Sequence, residues 1–347
     1  MLTKNIFFKN FKKASSNKSI KINLSKIIKY DLNNKNNLLF SLTNKYKYSY
    51  DKKKLRFLKK NFSIFNIIGM GGSILGSKAI YYFLKDKIKK NFFFVDNLVV
   101  FKNNLSNKKK LNIIISKSGN TLETIVNTNT IVKKKDKNII ITEKDKNFLN
   151  ILADNLKSEV VEHKNYIGGR YSVLSEVGML PAELMGLNVG KFKQINNLIK
   201  KPNFIKDLCQ NVDCTLNLIK KKKINSVILN YDERSDNFFK WYQQLISESL
   251  GKKSQGILPI ISSMPKDNHS LLQFYLDGPK NNFFTFFYTF EKKSNFFKKG
   301  SFYKNFNFLN NKKVSEIQYT QKIATQNVFD KKKIPFRSFE ILKRNEE

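Results

Sequence analysis

Ser63-Ile64-Phe65-Asn66-Ile67-Ile68-Gly69-Met70-Gly71-Gly72-Ser73-Ile74-Leu75-Gly76-Ser77 passes from a short apolar run through a glycine turn into helical periodicity. An apolar run of this length bounded by glycine predicts a buried strand. Gly69 to Ser73 then predicts a turn, and Ile74 to Lys85 a helix. The unit recurs. Phe92–Val95 and Leu111–Ile115 read as strands, Ser116 to Thr121 as a turn, and Leu122, Ile125, Val126 and Val132 mark a helix. Asn138–Ile141 and Glu159–Glu162 complete the set. Strands that alternate with helices predict a parallel sheet covered on both faces.

A second series opens at Pro202. Phe204–Ile219 is amphipathic, Ser226–Asn230 reads as a strand, and Asp236–Leu250 as a strong helix stopped by Gly251. Ile257–Ile261, Asn282–Phe290 and Arg337–Leu342 read as strands, and Val314–Phe329 as a helix. The expected fold class is therefore α/β, with two domains of similar design. Each is a parallel-type sheet flanked by helices, an α/β/α sandwich. Residues 1–50 read as a polar, helical arm, 51–200 as the first domain and 201–347 as the second.

The chain has 347 residues and a formal net charge of +38, which invites a nucleic-acid function. The type of basic residue argues against it. Of 65 basic residues only five are arginine (Arg56, Arg170, Arg234, Arg337 and Arg344), and nucleic-acid surfaces favour arginine for its bidentate fork and its stacking. Lys, Asn, Ile and Phe are enriched together, as codon drift in an AT-rich genome would produce. The expectation is salt-sensitive, non-specific attraction to acidic partners, with no specific nucleic-acid partner. Cys209 and Cys214 lie in a helix-like segment with a spacing that suits neither a redox pair nor a zinc cluster, and read as buried or half-buried thiols. No apolar run reaches membrane-spanning length and no signal-peptide core is present, so a cytoplasmic, membrane-free protein is expected.

Five segments carry candidate chemistry. In Gly69–Ser73, a strand feeds a helix through glycines, and the helix start offers free N–H donors with Ser73 adding a hydroxyl; the bland reading is a tight turn. Ser116-Lys117-Ser118-Gly119-Asn120-Thr121-Leu122-Glu123-Thr124 places Ser116, Ser118 and Thr121 at the next such junction. A monoester phosphate wants several donors at once; helix capping by Ser and Thr is the competing explanation. Tyr166-Ile167-Gly168-Gly169-Arg170-Tyr171-Ser172-Val173-Leu174-Ser175 combines two glycines, which allow close backbone approach, with a scarce guanidinium and two hydroxyls at a helix start. Gln244 and Glu248 stand four apart on one helix face, and Glu248 has Leu245, Ile246 and Leu250 for neighbours, a setting that suits a general base; a surface glutamate is the alternative. His269 follows Asp267 and Asn268 and precedes an apolar helix. Histidine moves protons near neutrality, although a structural hydrogen-bonder is the commoner role. His163 has no such company and reads as a surface residue.

Taken in order, the motifs Gly-Met-Gly-Gly-Ser-Ile-Leu-Gly at 69–76, Ser-Lys-Ser-Gly-Asn-Thr-Leu-Glu-Thr at 116–124, Gly-Gly-Arg-Tyr-Ser at 168–172, Gln-Leu-Ile-Ser-Glu-Ser-Leu-Gly-Lys at 244–252 and Asn-His-Ser-Leu-Leu-Gln at 268–273 resemble the glucose-6-phosphate isomerase family, built on two sugar-isomerase (SIS) domains. The resemblance spans about residues 50–340. It implies an aldose–ketose isomerase of glycolysis and gluconeogenesis that converts glucose 6-phosphate and fructose 6-phosphate through an enediolate, with no metal or other cofactor. By the same resemblance, Ser116, Ser118, Thr121 and the backbone at Lys117 hold the phosphate, and Gly72 and Ser73 line the sugar. Arg170 stabilises the enediolate, Glu248 carries the proton between C1 and C2, and Gln244 orients the substrate. His269 helps to open the ring from the neighbouring subunit, which implies a homodimer. One departure stands out. The family continues past Arg337–Leu342 into helices bearing a further lysine, whereas this chain stops at Glu347. That keeps two alternatives open, a non-catalytic sugar-phosphate-binding SIS protein and a related phosphosugar isomerase of broader specificity.

Overall fold

The computed structural model describes residues 6–9, 18–100, 109–298 and 304–347. Its strands are β1 (Ile6–Lys9), β2 (Ile64–Gly69), β3 (Asn91–Val95), β4 (Lys110–Ile115), β5 (Lys137–Thr142), β6 (Glu159–Glu162), β7 (Asn225–Asn230), β8 (Leu258–Ser263), β9 (Asn282–Thr289) and β10 (Phe336–Ile341). Its helices are α1 (Lys18–Asn33), α2 (Lys52–Asn61), α3 (Leu75–Phe83), α4 (Leu122–Ile131), α5 (Phe148–Asn155), α6 (Glu176–Leu184), α7 (Ile195–Ile199), α8 (Pro202–Lys220), α9 (Asp236–Leu250), α10 (Leu272–Asp277) and α11 (Val314–Lys331). The chain divides into two units. The first holds Ile22–Lys201, Asn237–Leu245 and Asn345–Glu347; the second holds Met1–Lys21, Pro202–Asp236 and Ile246–Arg344.

In the first unit the strand order is β3-β2-β4-β5-β6, every pairing parallel. All residues of β2 are buried, as a central strand covered on both faces requires. Alternate residues serve opposite faces. Phe65, Ile67, Leu111, Ile113, Ile139 and Ile141 enter one core with α2, α3 and α6 residues, whereas Ile68, Ile114 and Ile140 enter another with Leu149 and Ala153 of α5. On that second face three asparagines in register, Asn66, Asn112 and Asn138, form a ladder. Asn66 donates to Asn112 at 2.8 Å, and Asn112 to Asn138 at 2.9 Å. A slip of one residue would turn every asparagine to the other face, so the ladder pins the register. The apolar reading of these strands did not reveal it.

Residues 38–50 group with this unit; residues 1–5 and 10–17 lie outside the described set. The attachment is polar. Glu176, fully buried at the start of α6, accepts from the Tyr46 hydroxyl at 2.7 Å and from the Ser49 amide at 2.9 Å. Beside it Lys193 is buried with its ammonium 4.4 Å and 4.3 Å from the ring centres of Tyr46 and Tyr48.

The second unit has the order β8-β7-β9-β10-β1. Four strands are parallel, but β1 pairs antiparallel with β10, register Ile6↔Phe339 to Lys9↔Phe336. The sheet is of the parallel type expected, and β1 is an addition to it that the sequence did not announce: a short strand far away in sequence covers an edge that would otherwise present unpaired backbone groups. The core is aromatic. Phe329 of α11 sits edge-on to Phe284 at 4.8 Å and to Phe286 at 5.4 Å, and Phe286 packs on Phe336 at 5.2 Å. Cys209 and Cys214 are buried thiols on α8.

Candidate functional site

In an open α/β sheet the crevice for a ligand lies beyond the carboxyl ends of the strands, where the strand order reverses. In the first unit the chain goes from β2 to β3 on one side and then to β4 on the other, so the reversal falls between β2 and β4. The pairing Gly69↔Ile115 brings the two strand ends side by side. The loops that follow are Met70–Ile74 and Ser116–Thr121, two of the segments the sequence singled out.

The first loop is pressed against a third. A Cβ on Gly72 would stand 2.3 Å from the Gly169 carbonyl carbon and 2.5 Å from the Arg170 amide nitrogen. Glycine at 72 therefore permits main chain to meet main chain, and this contact joins Gly72 and Ser73 to the Arg170 segment. Ser172 and Ser175 do not face a ligand. Both are buried, Ser172 donating to the Gly169 carbonyl at 2.6 Å and Ser175 to the Ser172 carbonyl at 2.7 Å, so they brace the turn before α6. The Arg170 guanidinium lies over the Tyr171 ring at 4.6 Å, and the Trp241 indole donates to the Arg170 carbonyl at 3.2 Å. Trp241 belongs to α9, as does Gln244, whose amide nitrogen is 2.8 Å from a Cβ placed on Gly71. The sequence offered no signal for Trp241.

The second loop carries the hydroxyls. Ser116 is buried and shares a 2.8 Å hydrogen bond with Thr121. Thr121 holds the N-cap position of α4 but makes no side-chain capping bond, so helix capping does not account for it. Ser118 is exposed at the tip and accepts from the Asn120 amide at 3.3 Å. Gly119 adopts φ +68°, and a Cβ there would fall 2.0 Å from Asn147 Oδ1. The Leu149 amide donates to the Gly119 carbonyl at 3.1 Å and the Phe148 amide to Asn120 at 2.9 Å, so the start of α5 clamps the loop. Lys117 turns its ammonium away, to the Asn165 carbonyl at 2.8 Å and to Glu143 at 3.5 Å.

Behind this loop lies His163, which is buried rather than on the surface. Its amide donates to the Thr142 carbonyl at 2.8 Å, and Nδ1 lies 3.1 Å from the Lys164 carbonyl. Burial pushes its pKa down to about 4, and the Lys117 charge adds to the effect. The residue is a neutral imidazole near pH 7. Strand pairing of β6 with β5 buries it, which no local pattern announces.

Two predicted residues belong to the second unit. Glu248 lies one turn beyond Gln244 on α9 and is exposed, not enclosed by the apolar neighbours its sequence context suggested, because Leu250 is itself open to solvent and Leu245 and Ile246 are only half buried. His269 is exposed on the turn after β8. Asp267 holds that turn, accepting from the Ser263 amide at 2.8 Å, from Ser262 at 3.0 Å and from Ser270 at 3.2 Å. Among the described residues no helix is long and apolar enough to cross a membrane.

Known proteins include relatives of this chain. A family model described as phosphoglucose isomerase matches residues 49–260. The chain is similar to the glucose-6-phosphate isomerase of Methanocaldococcus jannaschii, 38% identical over 245 residues that cover 63% of this chain and 58% of that protein. It is also similar to a probable glucose-6-phosphate isomerase of Methanococcus maripaludis, 30% identical over 313 residues, covering 83% and 70%. The chain thus spans less than two thirds of the first of these relatives. A crystal structure of a hypothetical protein from Thermus thermophilus has the same fold, with a TM-score of 0.78 at 19% identity over 95% of this chain and 85% of that one.

Proposed function

Because the chain belongs to the phosphoglucose isomerase family, we propose that it interconverts glucose 6-phosphate and fructose 6-phosphate. The observation that carries the reading is the reversal point of the first sheet, where a close-packed glycine turn and a clamped hydroxyl loop lie side by side. Phosphate is the ligand such a loop suits. Ser116, Ser118, Thr121 and the Lys117 amide are its donors, beside the N-terminus of α4. Gly72 and Ser73 flank the sugar, and Gln244 orients it.

The reaction then follows from elementary chemistry. His269 assists opening of the ring by moving a proton between the ring oxygen and the C1 hydroxyl. The Glu248 carboxylate removes the proton from C2 of the open-chain aldose. The C2–H electron pair becomes the C1–C2 double bond, and the C1 carbonyl oxygen takes up the negative charge. Arg170 is the cation that stabilises this enediolate. Glu248 returns the proton to C1, and the proton on O2 passes to the O1 oxyanion as the C2 ketone forms, which leaves a neutral hydroxyl at C1. Neither step changes the oxidation state of the molecule as a whole. His269 acting across a subunit boundary makes a homodimer part of the reading, and a cytoplasmic setting goes with a phosphorylated substrate.

The test is a coupled assay of the purified chain with fructose 6-phosphate. Replacing Glu248 with Gln should lower kcat by about 10²–10⁴-fold, the usual contribution of a general base, while phosphate-dependent substrate binding persists. Turnover that survives the change would remove Glu248 from its role. A wild-type chain that binds the substrate but never turns it over would leave a sugar-phosphate-binding protein.

A further inference from the structure

The first unit contains a cavity of about 320 Å3 that none of the candidate site residues lines. One wall is α2. Lys52, Arg56 and Lys59 line it at a spacing of four and three, so they share one helix face, while Leu55 and Leu58 pack into the core. The other wall is the end of α6 and the segment after it, from Glu183 to Gly190. Leu55, Leu187 and Val189 give it a buried apolar floor.

We propose that this cavity binds a small phosphorylated anion, with Arg56 and Lys59 as its cationic contacts. The charge balance makes the case. Glu183 is the carboxylate on the wall, and it already faces Lys52 at 3.7 Å and the Tyr50 hydroxyl at 3.5 Å. Elsewhere on the same helix Lys54 has its own acid, Glu159 at 2.7 Å. Among the described residues, the side chains of Arg56 and Lys59 have no ion-pair partner. Two like charges facing one concavity repel until an anion enters, and an apolar floor concentrates their field there.

The choice of arginine sharpens the argument. This chain uses lysine almost everywhere, with arginine at five of 65 basic positions. Arg337 binds Thr285 and Asn211, and Arg344 binds Asp232 and Glu291. Where arginine occurs in these places its planar fork is in use. Arg56 lines the cavity from an exposed position on α2, and a phosphoryl group is the partner its fork matches in a bidentate manner, with the half-buried Lys59 as a point charge alongside. The volume is that of a small-molecule site.

The cavity is separate from the reversal point. The Lys59 carbonyl accepts from Lys90, just ahead of β3, so the last turn of α2 stands at the N-terminal edge of the sheet. The proposal is independent of the isomerase reading.

Calorimetric titration of the full chain with inorganic pyrophosphate, at low and at physiological salt, tests it. The R56Q/K59Q variant should weaken one class of binding by at least about tenfold, the loss expected when a charge-assisted contact goes. Ser118→Ala should leave that same class intact, which separates it from the hydroxyl loop. The control is K53Q/K60Q, which removes two exposed charges from α2 outside the cavity. It should titrate like the wild type. If K53Q/K60Q weakens binding as much as R56Q/K59Q, or if R56Q/K59Q binds like the wild type, the lysine-rich surface alone is responsible and the site does not exist.

Discussion

At the reversal point of the first sheet, β2 and β4 run into Gly71, Gly72, Ser116 and Ser118; at the matching point of the second, β7 and β9 run into Asp232 and Thr289. The strand orders correspond: β2, β3, β4 and β5 occupy the places of β7, β8, β9 and β10. What fills the crevice does not. Asp232 is buried and accepts from Arg344 at 2.6 Å, Ser235 at 2.6 Å and Thr289 at 2.9 Å, while Arg344 also binds Glu291. One crevice is lined with short hydroxyl donors; the other holds a buried ion-pair network centred on Asp232 and Arg344. Topology supplies a site at each sheet, and side chains decide whether it stays open.

Breaking the network is the harshest test of that contrast. Asp232→Ala removes the shared acceptor of Arg344, Ser235 and Thr289, leaves Arg344 with Glu291 alone, and should cost about 3 kcal/mol in denaturant unfolding, the low end of the usual result of breaking a buried ion pair. If the second crevice were a ligand site instead, turnover would fall and stability would hold. A smaller effect is expected on the open side. Ser118→Ala removes a donor to a charged ligand, worth about 1.5–3 kcal/mol, and should raise KM for fructose 6-phosphate roughly tenfold or more while the melting temperature stays put, because Ser118 is exposed. An unchanged KM would mean that the hydroxyl loop is only a turn.

The smallest effect concerns the buried charge of the first unit. Burial lowers the Lys193 pKa from 10.5 to about 7, against the attraction of Glu176 and helped by Lys52. Between these values the unfolded chain binds more protons, so stability rises with pH across that window and the penalty is complete below about pH 7. Lys193→Met should therefore stabilise the fold by about 1 kcal/mol at pH 6 and by nothing at pH 10.5. A gain independent of pH would point to packing, and a loss at pH 6 would show that the Tyr46 and Tyr48 rings hold the ammonium better than burial repels it.

Much of the first crevice was legible in the sequence. Gly72, Ser116, Ser118, Thr121 and Arg170 sit in turns whose residue types report local geometry, and the strand boundaries fell within a residue or two of the apolar runs. The Asn147 clamp, the Trp241 contact and the burial of His163 were not, since each depends on a partner dozens of residues away. Glu248 shows the opposite error: apolar neighbours in sequence are not neighbours in space when a helix turns them to other faces.

The α/β alternation, the places of the glycine and hydroxyl turns and the family can be read from the amino acids alone, because strand, turn and helix preferences are written in short windows. Long-range pairing is what makes Asn66, Asn112 and Asn138 lock the register, sets β1 antiparallel on the edge of the second sheet, and joins Arg344 to Asp232. Those outcomes pair groups far apart along the chain, and the free energy of a buried polar group depends on which partner folding brings to it.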